Sequence, residues 1–118
     1  MALRILVAED EYITAFDLCD TFEEAGYEVE GPHAGLSSAM LACQKARPDL
    51  ALLDIELVDG LSLELAQKLL DDDVPVILHS DAADTRALAA RFPRATTLEK
   101  PCPPAKLLDT VSDVLTRV

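Results

Sequence analysis

Basic residues are scarce in this 118-residue chain: ten Lys and Arg stand against 22 Asp and Glu, a formal net charge of -12. A surface so charged repels phosphate backbones and anionic lipid, which excludes direct nucleic-acid or membrane binding by this chain and leaves proteins and cations as partners. Cysteine is scarcer still. Cys19, Cys43 and Cys102 are odd in number and show no paired spacing, so neither a disulfide framework nor a zinc site is indicated and buried, reduced thiols are expected. Half the residues are hydrophobic, yet none of the apolar runs approaches the ~20 residues of a membrane-spanning helix. The short apolar run from Leu3 to Val7 breaks into Glu9-Asp10-Glu11, unlike a signal peptide. A cytoplasmic location is the expectation. With no internal repeat, low-complexity tract or linker, residues 1–118 are expected to form one domain around one core.

What is present is a rhythm. Apolar, β-rich runs recur at Leu3 to Ala8, Glu28 to Glu30 leading into Gly31-Pro32, Leu50 to Leu53, Val76 to Leu78, and Thr96 to Leu98. Helical stripes fall between them. Tyr12, Phe16, Cys19 and Phe22 mark the first; Leu36, Ala39, Met40, Cys43 and Ala46 mark the second, behind a Ser37 or Ser38 cap. Leu61, Leu65 and Leu69 mark the third. Leu107, Leu108, Val111, Val114, Leu115 and Val118 make a stripe near the C-terminus, while Thr85 to Arg91, stopped by Pro93, is the weakest helical pattern. Strands alternating with helices read as βαβ units, and the near-continuous apolar character of Ile5-Leu6-Val7 and Leu50 to Leu53 predicts strands covered on both faces. The fold class is therefore α/β, a doubly wound five-stranded parallel sheet with helices on both faces.

Such sheets bind ligands outside the carboxyl ends of their strands. The first strand ends in Glu9-Asp10-Glu11, the third in Asp54, the fourth in Ser80 and the fifth in Glu99-Lys100-Pro101, so carboxylates, a hydroxyl and an ammonium converge on one edge. Crowded carboxylates repel one another unless a cation compensates. Mg2+ fits that need, with Mn2+ able to substitute. Asp10 and Asp54 each offer an oxygen, the backbone carbonyl near Glu56 offers a third, and water fills the remaining octahedral positions. An open site of this kind suits phosphoryl chemistry, with a carboxylate as nucleophile and Mg2+, Lys100 and the Ser80 hydroxyl around the equatorial oxygens.

Together these residues resemble the receiver domains of bacterial two-component response regulators, the single-domain chemotaxis-regulator type in particular, over essentially the whole chain. Glu9-Asp10 is similar to that family's acidic pair after the first strand, and Asp54 to its phosphoacceptor after the third. Ser80 is similar to its switch hydroxyl, and Lys100-Pro101 to its lysine and cis-proline. The resemblance implies the flavodoxin-like strand order 2-1-3-4-5 and a signalling module that catalyses only its own phosphorylation and dephosphorylation. It implies that Asp54 takes a phosphoryl group from a sensor histidine kinase or histidine phosphotransfer protein, with Glu9 reaching Mg2+ through water. Ser80 then turns inward and changes a protein-interaction surface of the fourth and fifth helices and fifth strand, including Leu88, Arg91, Thr97 and Lys106. The protein is expected as a monomer or a phosphorylation-dependent dimer, with its downstream protein target open.

Three positions depart from the family pattern. The loop Ile55-Glu56-Leu57-Val58-Asp59-Gly60 lacks the usual Met-Pro and is closer to an Asp-x-Asn-Leu variant, with Glu56 adding negative charge. Thr97 stands where an aromatic usually couples to the switch hydroxyl, and Asp81 stands where a small residue is common. His79, next to Ser80 in a strand, reads as a packed or partly exposed histidine. His33 reads as a loop residue without a partner, and Asp71-Asp72-Asp73 as a solvated turn. Two other functions compete. One is a protein-binding module of the same fold that is never phosphorylated. The other is a Mg2+-dependent phosphatase built on Asp54 and Glu56, which lacks both the usual second aspartate and a cap segment.

Overall fold

The computed structural model describes residues 2–117, so Val118 of the C-terminal stripe lies outside the described residues. In chain order the elements are β1 (Arg4–Ala8), α1 (Tyr12–Glu24), β2 (Glu28–His33), α2 (Leu36–Lys45), β3 (Leu50–Asp54), β4 (Glu56–Leu57) and β5 (Gly60–Leu61). They continue with α3 (Leu63–Asp71), β6 (Val76–Ser80), α4 (Ala82–Arg91), β7 (Thr96–Glu99) and α5 (Pro104–Thr116). Five of the strands pair in parallel in the order β2-β1-β3-β6-β7. Counting only those five, this is the expected order 2-1-3-4-5. The small antiparallel ribbon of β4 and β5 was not expected.

The central strands are apolar on both faces because both faces are covered. Leu6, Ala8, Ala51, Leu53, Val76 and Leu78 point to a layer completed by Ala39 of α2, Leu65 and Leu69 of α3, and Leu88 of α4. Their alternates Ile5, Val7, Leu50, Leu52 and Ile77 point to the opposite layer, against Leu18 and Phe22 of α1 and Leu107 and Val111 of α5. Each fully buried Val, Leu or Ile contributes about 1.5–3 kcal/mol, so β1, β3 and β6 form the stable slab on which the strand-end loops are mounted. Between β1 and β3 the winding direction reverses, opening a crevice at their carboxyl ends. Continuing the alternation past the core places Glu9, Asp54 and His79 in one row on the α1 and α5 side.

Several local expectations are corrected. In α1 the buried stripe runs through Ala15, Leu18, Cys19 and Phe22; Tyr12 and Phe16 are exposed and stack edge to face with each other. Leu61 lies in the ribbon rather than α3 and is exposed. Leu88 is buried under α4 and is unavailable to an interaction surface. His33 belongs to β2 and has partners, its Nε2 at 2.9 Å from Glu30 Oε2 and Nδ1 at 3.0 Å from Ser38 Oγ. Helix α4 starts at Ala82, a turn earlier than the pattern suggested. Only Cys19 of the three cysteines is fully buried, the other two being partly so. The aspartate turn is as expected, with Asp73 at φ 61° and exposed.

Gly31 meets a steric demand where β2 runs past β1. Its φ is +127°, and a Cβ there would lie 2.6 Å from the Val7 carbonyl oxygen, so a side chain fits neither the backbone nor the space.

No serine caps α2. Its N-cap is Gly35, and the cap is supplied from a distance by Asp59, which accepts the backbone N–H of Leu36 at Oδ1 and that of Ser37 at Oδ2, 3.1 Å away. These bonds hold the Asp59 carboxyl below its ordinary pKa. The contribution is therefore present above the ordinary carboxylate range and lost as the pH falls through the lowered value. Asp59→Ala is expected to fray the first turn of α2 at neutral pH, read as several-fold faster amide exchange at Leu36 and Ser37 and a modest fall in Tm. Unchanged exchange at both amides would show that the cap contributes nothing.

Candidate functional site

At the crevice, β1 ends and the chain passes through Glu9 and Asp10 before α1 begins. Glu9 is 2% exposed. Its Oε2 accepts the Glu11 backbone N–H at 3.1 Å, and its Oε1 lies 3.0 Å from Lys100 Nζ. The same ammonium is 3.1 Å from Oδ1 of Asp54, so Lys100 bridges two carboxylates carried by β1 and β3. Asp10 is exposed beside them. One oxygen from each of Glu9, Asp10 and Asp54 falls within 4.8 Å of the others.

Asp54 is held from several sides. Its Oδ1 accepts the Ile55 N–H at 2.9 Å, and its backbone carbonyl accepts the hydroxyl of Ser62. Ser62 is fully buried; its Oγ also lies 3.3 Å from the Ile55 carbonyl, which accepts the Ser62 N–H at 2.9 Å. The loop after Asp54 is thus closed at its base by Ser62 and fastened to α2 through Asp59. Sequence reading missed both residues, since a serine before a helix reads as a cap and an aspartate in a loop reads as a turn.

Asp10, Asp54, Glu56, Ser80 and Lys100 all line one cleft of about 300 Å³, joined by Glu11, Ile55, Asp81 and Asp84. The predicted residues are therefore brought together, with Glu9 at the floor. Ser80 is buried, and its hydroxyl stands 3.3 Å from Thr85 Oγ1 of α4, a partner the sequence did not reveal. Thr97 is half-buried in β7 and brings no aromatic ring to the site. Lys100 precedes a cis bond to Pro101.

Charge in the cleft is unbalanced. Burial, and then the neighbouring Asp54 carboxylate, pushes Glu9 up to about 7, against the pull of the Glu11 N–H and Lys100. For Lys100 burial works against the charged form, but contact with Glu9 and Asp54 outweighs it and raises the pKa. One ammonium thus serves three clustered carboxylates, with Glu56, Asp81 and Asp84 at the rim. Oxygen donors in this number and disposition match a hard divalent cation better than a soft one. His79 is 3% exposed; burial and then Lys100 lower its pKa. It is packed, as expected, but beside Glu9 rather than apart from the site, at 4.0 Å.

This arrangement agrees with what comparison with known proteins finds. The family model for the response regulator receiver domain matches residues 5–112. The chain belongs to that family. It is 35% identical over 118 residues to the phyllosphere-induced regulator PhyR of Methylorubrum extorquens, an alignment covering 98% of this chain and 44% of that protein. The receiver domain spans less than half of that relative. Among solved structures it is similar to a response regulator receiver protein from Sinorhizobium medicae, with a TM-score of 0.85 and 28% identity over 97% of this chain and 94% of that one. It is also similar to the anti-anti-sigma factor PhyR from Bartonella quintana, with a TM-score of 0.80 and 25% identity over 98% of this chain and 48% of that one. The receiver domain is a two-component signalling module rather than a metabolic enzyme. Among its described residues, no helix is long and apolar enough to cross a membrane.

Proposed function

We propose that residues 1–118 act as one receiver domain in which Asp54 accepts a phosphoryl group in a Mg2+-dependent reaction, with Mn2+ able to substitute. The observation that carries this is the bridging of Glu9 and Asp54 by Lys100 at 3.0 and 3.1 Å, with Asp10 alongside. Asp54 is the carboxylate that combines contact with the ammonium, rigid backbone support and an opening to the cleft. Asp10 and Asp54 would ligate the ion, Glu9 through water, with the Glu56 backbone carbonyl as a further oxygen. The ion supplies positive charge to the oxygens of the transferring group. Lys100, 3.1 Å from Asp54 Oδ1, would add a second positive charge beside the carboxylate, and Ser80 would turn from Thr85 towards the phosphoryl oxygens.

The donor we propose is a phosphohistidine on a sensor kinase or phosphotransfer protein in the cytoplasm. Such a partner needs a place to dock beside the cleft, and α1 offers one. Tyr12 and Ile13 are 73% and 74% exposed, and Phe16 is exposed with them, a grouping that a solvated helix face does not require. Phosphorylation-dependent self-association and a downstream protein target belong to the same proposal. The competing module that binds without phosphorylation would have no use for a lysine held between carboxylates.

Intact mass after incubation with acetyl phosphate tests the reading. A single phosphoryl adduct is expected with Mg2+ and none after chelation. An unmodified mass under both conditions, with the protein folded, would remove the phosphoacceptor reading and leave the constitutive binding module.

A further inference from the structure

Among the described residues, three buried side-chain atoms have no hydrogen-bond partner in the protein: Oε1 of Glu9 and the two ring nitrogens of His79. They are neighbours, with Nδ1 of His79 4.0 Å from Oε1 of Glu9. Buried polar groups are nearly always satisfied, because leaving one unmade forfeits its solvation without return. Here an acceptor and a prospective donor face each other at roughly 1 Å beyond hydrogen-bond length.

Bulk does not explain the histidine. His79 continues the alternation of Ile77 on the α1 and α5 side of β6, where an aliphatic side chain would fill the same space without orphaned nitrogens. What distinguishes the position is the atom it faces. Oε1 of Glu9 is occupied by Lys100 at 3.0 Å, a contact that is an ion pair outside hydrogen-bond geometry. The same lysine is shared with Asp54. If Lys100 follows a phosphoryl group added to Asp54, Oε1 loses its cation while remaining buried. The group standing across from it is then His79.

We propose that His79 is a positioning residue for the phosphorylated state: its Nδ1–H closes onto Oε1 of Glu9 as Lys100 turns to the phosphoryl group. The proposal rests on Asp54 being the acceptor. A neutral ring suffices, since one N–H is the only donor required, and burial with Lys100 nearby favours the neutral form. Donation from Nδ1 fixes the tautomer and leaves Nε2 as an acceptor. Glu9 stays fixed by the Glu11 N–H on Oε2 and by His79 on Oε1, so its carboxylate keeps its aim at the metal site. Lys100 can then leave without stranding a buried charge. The histidine thereby shifts the balance between two positions of the lysine, and it does so without touching the reacting atoms.

The test uses the full chain with beryllofluoride and Mg2+ as the phosphoryl stand-in. Bound fluoride is followed by 19F NMR and the His79 ring by 15N NMR. The expected result is a bound fluoride signal accompanied by a change of Nδ1 to the protonated, hydrogen-bonded form. Bound fluoride with the ring resonances unmoved overturns the role of His79 and leaves the Asp54 reading intact. No bound fluoride overturns both. His79→Leu, which fills the space but donates nothing, is expected to weaken beryllofluoride binding about tenfold at saturating Mg2+, the scale of one hydrogen bond to a charged group. His79→Asn, whose amide nitrogen can occupy the place of Nδ1, is expected to recover most of that loss. Affinity unchanged in the leucine variant, or equally weak in both variants with the fold intact, would show that only packing matters. Should the leucine variant not fold, the ring spectrum of the unmodified protein decides alone.

Discussion

Asp54→Asn is expected to abolish phosphoryl uptake completely while leaving the fold intact. The amide is nearly the same size as the carboxylate, and its oxygen can still accept the Ile55 N–H that Asp54 now accepts at 2.9 Å. Lys100 retains its contact with Glu9. The backbone of residue 54 remains anchored by Ser62. What disappears is chemical: the anionic oxygen able to attack phosphorus, and one negative charge of the metal site. Stability should stay level or rise, because the buried Glu9 loses a like-charged neighbour. Intact mass after acetyl phosphate and Mg2+, paired with a thermal melt, reads both halves of the prediction. An adduct persisting on the variant would transfer the acceptor role to another carboxylate of the cleft, such as Asp10 or Glu56.

The strand-end residues could be read from sequence because each stands within two residues of the end of a β-rich, largely apolar run. The end of such a run in a parallel sheet is also the end facing the crevice. Glu9, Asp10, Asp54, Ser80 and Lys100 all have this address, and the fold brings the last four to one cleft with Glu9 buried beside them. Periodicity worked where one face alone carries the apolar residues, as in α5 with Leu107, Val111 and Val114 buried. It misled in α1 because Tyr12 and Phe16 are apolar and suitably spaced, yet lie outside the core. A hydrophobic side chain kept for an exterior surface leaves the same mark in the sequence as one kept for the interior. The corrected stripe of α1 is thus the clue to the docking face proposed for it.

Long-range polar contacts were hidden for a different reason. Asp59 caps a helix 23 residues earlier in the chain, and the Ser62 hydroxyl reaches back to the backbone of Asp54. Neither leaves a local pattern, since the partner is a backbone group of no particular residue type. His79 is a third case. Strand alternation separates it correctly from Ser80, but the side it turns to holds Glu9, which only the pairing of β1 with β3 and of β3 with β6 reveals. The register places His79 opposite Asp54. A residue two strands from Glu9 therefore becomes its neighbour at the floor of the site.

Lys100→Met is expected to separate metal binding from phosphoryl transfer, slowing transfer while metal binding holds or tightens. Methionine keeps much of the aliphatic stem and its packing, so the substitution removes the ammonium with little cavity. Without it, Glu9 and Asp54 face each other uncompensated at the positions now 3.0 and 3.1 Å from Nζ. A divalent ion then meets no resident competitor for the Asp54 oxygen, and Mg2+ is expected to bind at least as tightly as in wild type. Transfer should fall, because the ammonium aimed at the oxygens of the transferring group is lost. Removing one preorganised electrostatic contact of this kind typically costs about 10²–10³ in rate. Calorimetric titration with Mg2+ suits a chain without tryptophan, and the rate of adduct formation by mass gives the other half. If Mg2+ affinity and transfer fell together, Lys100 would be organising the carboxylates rather than competing with the metal, and its contact with Glu9 would be the more important of the two.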